Sequence, residues 1–159
     1  MTDLNYSSAL ALSALIKSGE LSIAELMQST LDRIDDVNGT VNAIVSLGEH
    51  NALLAQAQAA QSAPRKGWLH GIPIAIKDLA NAKGFFTTMG SPLFAGEVAP
   101  KDDIVVERLK TAGAIVIGKT NTPEFGLGSH TFNPVFGATK NPYDQTCSAG
   151  GSSGGAAAA

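Results

Sequence analysis

The sequence predicts an α/β fold organised on a largely parallel sheet, and three observations carry that prediction. Ile72-Pro73-Ile74-Ala75-Ile76 and Ala114-Ile115-Val116-Ile117 are apolar without alternation, the pattern of strands buried on both faces. Between them a helix opens at Asp102 or Asp103, carries Ile104, Val105, Leu109 and Ala112, and stops at Gly113. Strand, helix and strand in that order read as a βαβ unit, whose crossover sets the two strands parallel. The third observation is scale: 159 residues, 44% hydrophobic and 16% charged, supply one globular domain with its own core.

The remaining elements follow in order. Met1 to Tyr6 read as a loose start, after which Ser8 caps a short helix whose Ala9, Leu12, Leu15 and Ile16 share one face and Gly19 ends it. Ser22-Ile23-Ala24-Glu25 is a capping box: the Ser22 hydroxyl accepts from the Glu25 amide, and the Glu25 carboxylate accepts from the Ser22 amide. Ile23, Leu26, Met27, Thr30, Leu31 and Ile34 then run along one side to a stop near Asn38-Gly39. Ala43 to Leu47 form a short strand, and His50 to Gln61 a third helix broken by Pro64. Residues 1–66 are thus a helical lead-in to 67–159, which hold the residues with chemical potential.

From Asn121 to Ala149 the chain is loop-like and rich in Gly, Pro, Asn and Thr. It leads into Gly150-Gly151-Ser152-Ser153-Gly154-Gly155, two hydroxyls between two glycine pairs, with an alanine run that starts a helix. Glycine opens φ values closed to other residues and lets a ligand approach the backbone, while helix amides would point at whatever sits above the serines. A flexible Gly/Ser linker is the plain alternative.

Charge excludes some classes. A net charge of −3 with no basic cluster leaves no footprint for nucleic acid or an anionic membrane surface. One cysteine, Cys147, makes no internal disulfide, and no signal peptide or bilayer-length apolar run is present, so a cytoplasmic location is expected.

Lys77 ends the first buried strand, at the carboxyl edge where α/β sheets collect their sites. It either snorkels to solvent, its stem lying on the sheet, or is desolvated, with a lowered pKa that lets the neutral amine take a proton from a hydroxyl. With Ser152 and Ser153 the second alternative becomes Ser/Lys catalysis, a known variant of the Ser/His/Asp arrangement.

Four blocks carry a more specific signal. Leu69 to Asp78, Gly118-Lys119-Thr120-Asn121-Thr122-Pro123-Glu124-Phe125, Phe136 to Pro142 and Gly150 to Gly155 resemble the amidase signature family, in that family's order. The resemblance implies a mixed sheet sandwiched between helices and a triad of lysine, a serine next to a cis peptide bond, and a nucleophilic serine. It makes Lys77 the base, Ser152 the proton relay across a cis bond to Gly151, and Ser153 a support of the network. A linear amide would be the small-molecule substrate, attacked to give an acyl-enzyme that water hydrolyses, with no cofactor or metal. The family's nucleophile belongs to a later Gly-Gly-Ser stretch, so the expectation is an N-terminal fragment, inactive alone, that exposes strand edges and apolar faces and needs a homodimer or completing chain.

Three alternatives accompany this. Within the family, the glutaminase-like component of a tRNA-dependent amidotransferase is the nearest rival, although Phe125 to Asn133 looks more like the general amidases. Gly113-Ala114-Ile115-Val116-Ile117-Gly118-Lys119-Thr120 fits the P-loop pattern, but a phosphate loop curls where these residues read as strand, and it needs a helix after Thr120. Cys147 with His70 or His130 would make a thiol amidase, with no motif behind the pairing, and His50, His70 and His130 have no metal-ligand spacing. Asp78 and Glu124 read as polar residues at a strand end and in a loop.

Overall fold

A computed structural model describes residues 4–159, so the expected loose start falls partly outside it; Leu4–Tyr6 form one 3-10 turn. Helix α1 is Ala9–Ser18, with the Ser8 side chain accepting from the Ala11 amide and Gly19 left-handed at φ 80°. Helix α2 is Ile23–Val41, opened by the capping box, in which both reciprocal bonds are made. It does not stop at Asn38-Gly39 but runs through the exposed Gly39 to a left-handed Asn42. A helical glycine costs only about 1 kcal/mol. The turn is set instead by the Asn38 side chain, which accepts from the Ala43 and Ile44 amides and donates to the Ile44 carbonyl.

Strand β1 is Ile44–Leu47, α3 His50–Ser62, β2 Pro73–Lys77, α4 Ile104–Thr111 and β3 Ile115–Thr120. Sheet order is β1-β3-β2, with β2 parallel to β3 and β1 antiparallel to it, so the sheet is mixed as the family resemblance implied. Leu12, Ile16, Leu26, Met27, Leu31, Leu53 and Ala57 from α1 to α3 pack with Ile72, Ile115 and Ile117 on one face. Ile76 and Val116 pack with Ala82 and Val106 of α4 on the other. Each fully buried side chain of this size contributes roughly 1.5–3 kcal/mol, so both layers hold the sheet.

The two strands are not equally buried. All six residues of β3 are buried, whereas in β2 only Ile76 is, because β2 lies at the sheet edge. The register slips between Ile74 and Ala75, where β3 carries one extra residue. That bulge turns Lys119 onto the side of its partner Ile76, towards the α4 cluster, and pairs Thr120 with Lys77. Asp103 stands at the start of α4 without capping it; its carboxylate instead accepts from the Asn81 amide at 2.8 Å. Leu93, Ile104, Leu127 and Phe132 are large apolar side chains left exposed.

Candidate active site

β2 delivers Lys77 to the sheet edge, and helix α5, Gly154–Ala158, begins directly after the serine pair. The Lys77 Nζ donates to Ser152 Oγ at 2.8 Å and to Ser153 Oγ at 2.9 Å. The peptide bond between Gly151 and Ser152 is cis. Partial burial pushes the Lys77 amine below the ordinary lysine range. Two hydroxyls and no carboxylate meet it, so nothing holds its proton by charge.

The glycines around the serines serve a different purpose from the one expected. None of Gly150, Gly151, Gly154 and Gly155 has a positive φ. A Cβ on Gly155 would come within 2.3 Å of the Asn121 amide nitrogen, and one on Gly154 would meet the Thr131 hydroxyl. The close approach is by the chain's own backbone and side chains, which press the start of α5 against the loop after β3. The Gly154 amide is also engaged, donating to Thr131 Oγ1 at 2.9 Å.

A buried amide and hydroxyl network fixes that loop. Asn133 donates to Asn121 Oδ1 at 2.6 Å and to the Thr122 carbonyl at 2.7 Å, while Asn121 donates to Thr139 Oγ1 at 3.1 Å. Thr131 donates to the Gly150 carbonyl at 3.0 Å and Thr122 to the Ser152 carbonyl at 3.5 Å. Satisfied buried networks of this kind are rigid, and this one holds the backbone on both sides of Ser152. A groove of about 500 Å³ lies alongside, walled by Phe125, Leu127, Ser129, His130 and Phe132; Ser129 and His130 back onto Gly151.

Lys119 is the functional residue that the sequence motifs do not single out. It is wholly buried, and its Nζ lies 3.4 Å from the equally buried Asp78 carboxylate. It also donates to the Ala80 carbonyl at 2.7 Å and to Thr87 Oγ1 at 2.9 Å. Asp78 accepts further from the Thr88 hydroxyl at 2.6 Å. Burial draws the Lys119 pKa down and the Asp78 carboxylate works against it. The available signal is a lysine inside a β-branched run, which requires a buried anion nearby.

The competing arrangements do not form. Residues 115–120 are strand, and a loop and one 3-10 turn follow Thr120, so no phosphate loop exists there. His70 Nε2 bonds the Ala60 carbonyl and its Nδ1 accepts from the Lys66 amide, which makes it a structural residue. The Cys147 thiol donates to Asp144, while His130 bonds Ser148, so the thiol has no imidazole base. Among the described residues no group of three or more acidic, His or Cys side chains is placed to hold a metal, and no helix is long and apolar enough to cross a membrane.

Comparison with known proteins now decides the family. The Amidase family model matches residues 25–159. The chain belongs to the amidase signature family. Among solved structures, 6-aminohexanoate cyclic dimer hydrolase superposes with a TM-score of 0.88 at 32% identity, covering 99% of this chain and 32% of that one. The peptide amidase from Stenotrophomonas maltophilia does so with a TM-score of 0.86 at 33% identity, covering 96% of this chain and 33% of that one. The glutamyl-tRNA(Gln) amidotransferase of Salinispora arenicola contains an amidase-like polypeptide that is 44% identical over the whole of this chain and 33% of its own length. Its counterpart in Coxiella burnetii is 48% identical over 91% of this chain and 30% of its own length. The chain therefore spans about a third of the length of the curated relatives it matches.

Proposed function

We propose that the chain carries the lysine base and relay serine of an amidase that hydrolyses carboxamide C–N bonds through an acyl-enzyme. The observation that carries this is the Lys77 amine, 2.8 Å from Ser152 Oγ and without a counter-ion. Neutral Lys77 accepts the Ser152 proton while Ser152 takes the proton of a nucleophilic serine attacking the amide carbon. The Lys77 ammonium then returns a proton through Ser152 to the departing amine, and water hydrolyses the ester. Ser153 holds the lysine in line through its second hydrogen bond. The nucleophile comes from a Gly-Gly-Ser stretch outside these 159 residues, as in the family, so the chain alone turns over no amide. The apolar groove beside Gly151 would receive the part of the substrate that flanks the amide.

A second function is favoured by one observation, the 44–48% identity to the amidotransferase polypeptides against 32–33% to the solved amidases. There the substrate would be glutamine, and its ammonia would pass to a tRNA-bound glutamyl group. Turnover of p-nitroanilides, aliphatic amides and glutamine by the full open reading frame separates the two. For either, Lys77→Ala is expected to lower turnover by about 10²–10⁴-fold. Full activity in that variant, or amide turnover by the 159-residue chain itself, contradicts the proposal.

A further inference from the structure

Two lysines approach the same strand end from opposite sides of the sheet. Lys77 reaches the serine pair, and Lys119, turned by the bulge, reaches Asp78. Asp78 is the residue after Lys77, its amide donating to the Thr120 carbonyl at 3.0 Å, so a buried carboxylate is anchored directly behind the proposed base. An unbalanced anion there would favour the ammonium form of Lys77 and remove its ability to accept a proton.

We propose that Lys119 is a positioning residue for Lys77: it neutralises the Asp78 carboxylate, so that the amine at the next position can lose its proton, and ties the 78–90 segment to the sheet. The proposal rests on the assignment of Lys77 as base. The charged surroundings are few. Asp103, on the Lys119 side, has its carboxylate held by the Asn81 amide; Lys83 follows in the same loop, its amide bonded to Asp102. α5 carries no titratable side chain, and Arg33 and Asp36 of α2 pair with each other at 3.3 Å in solvent. Lys119 is thus the cation that faces Asp78, at 3.4 Å.

The test is an NMR titration of lysine side chains in the 159-residue chain, with Lys77 assigned by its loss in Lys77→Arg. In Lys119→Met the Lys77 midpoint is expected to rise by about one pH unit or more, a tenfold loss of neutral amine at fixed pH. The double variant Asp78→Asn/Lys119→Met removes both charges and should return the midpoint to the wild-type value; Lys119→Arg should leave it there. An unchanged midpoint in folded Lys119→Met, or the same rise in the double variant, overturns the proposal. If Lys119→Met does not fold, the double variant decides: a wild-type midpoint supports charge balance, and a displaced one overturns it. Because the readout is a titration, the coupling can stand where amide turnover fails, which separates this inference from the proposed reaction.

Discussion

Lys77 and Lys119 occupy neighbouring strands one register step apart, yet their surroundings are opposites. Lys119 is sealed from solvent beside a carboxylate, two carbonyls and a hydroxyl. Lys77 is half-buried and has two hydroxyls only. The first environment holds a charge in place; the second lets one be given up. The same side chain becomes a structural clamp or a candidate base according to whether an anion accompanies it.

That contrast breaks first at stability. Lys119→Met strands the Asp78 carboxylate and is expected to cost about 3–5 kcal/mol, whereas Lys77→Met should stay within about 1 kcal/mol of wild type. Urea denaturation compares them, and equal losses would erase the distinction. Thr88→Val removes the 2.6 Å bond to Asp78 and should cost about 1.5–3 kcal/mol in the same assay, confirming that the clamp is a network. On the Lys77 side, Gly155→Ala drives a Cβ into the Asn121 backbone and should cost about 1–3 kcal/mol. Gly150→Ala, with nothing within 4 Å of its Cβ, should change stability by less than about 0.5 kcal/mol.

The smallest effect is linkage. Burial lowers the folded Lys77 pKa below its unfolded value, so between those two values the unfolded chain binds more protons. Stability contributed by this site therefore rises with pH across that window. Wild type should gain up to about 1 kcal/mol on Lys77→Met as pH climbs through it, seen as a narrowing or reversal of their difference in denaturation midpoints.

What the residues disclose in advance divides along the same line. The capping box, the Gly19 stop and the βαβ crossover are local or periodic, and they stand in the structure as the sequence implies. Lys77 and Ser152 are 75 residues apart, beyond any spacing rule, and only the four family blocks bring them together. Lys119 escapes sequence reasoning because its partner is set by a single extra residue in β3; without the bulge, alternation from Ile117 would turn it to the other face. Gly39 reads as a helix end since glycine usually marks one, but the Asn38 side chain and a left-handed Asn42 make the turn three residues later. The glycines beside the serines suggest room for a ligand. They are room for Asn121 and Thr131, whose arrival there depends on the fold of the intervening loop.

The most direct measurement of the central claim is the titration midpoint of Lys77 in the folded wild-type chain, by lysine side-chain NMR. The expected result is a midpoint below the free-lysine value of about 10.4, lost on unfolding in urea. A midpoint at or above that value would mean that the amine keeps its proton as an ordinary lysine does, and that Lys77 is not poised to act as a base.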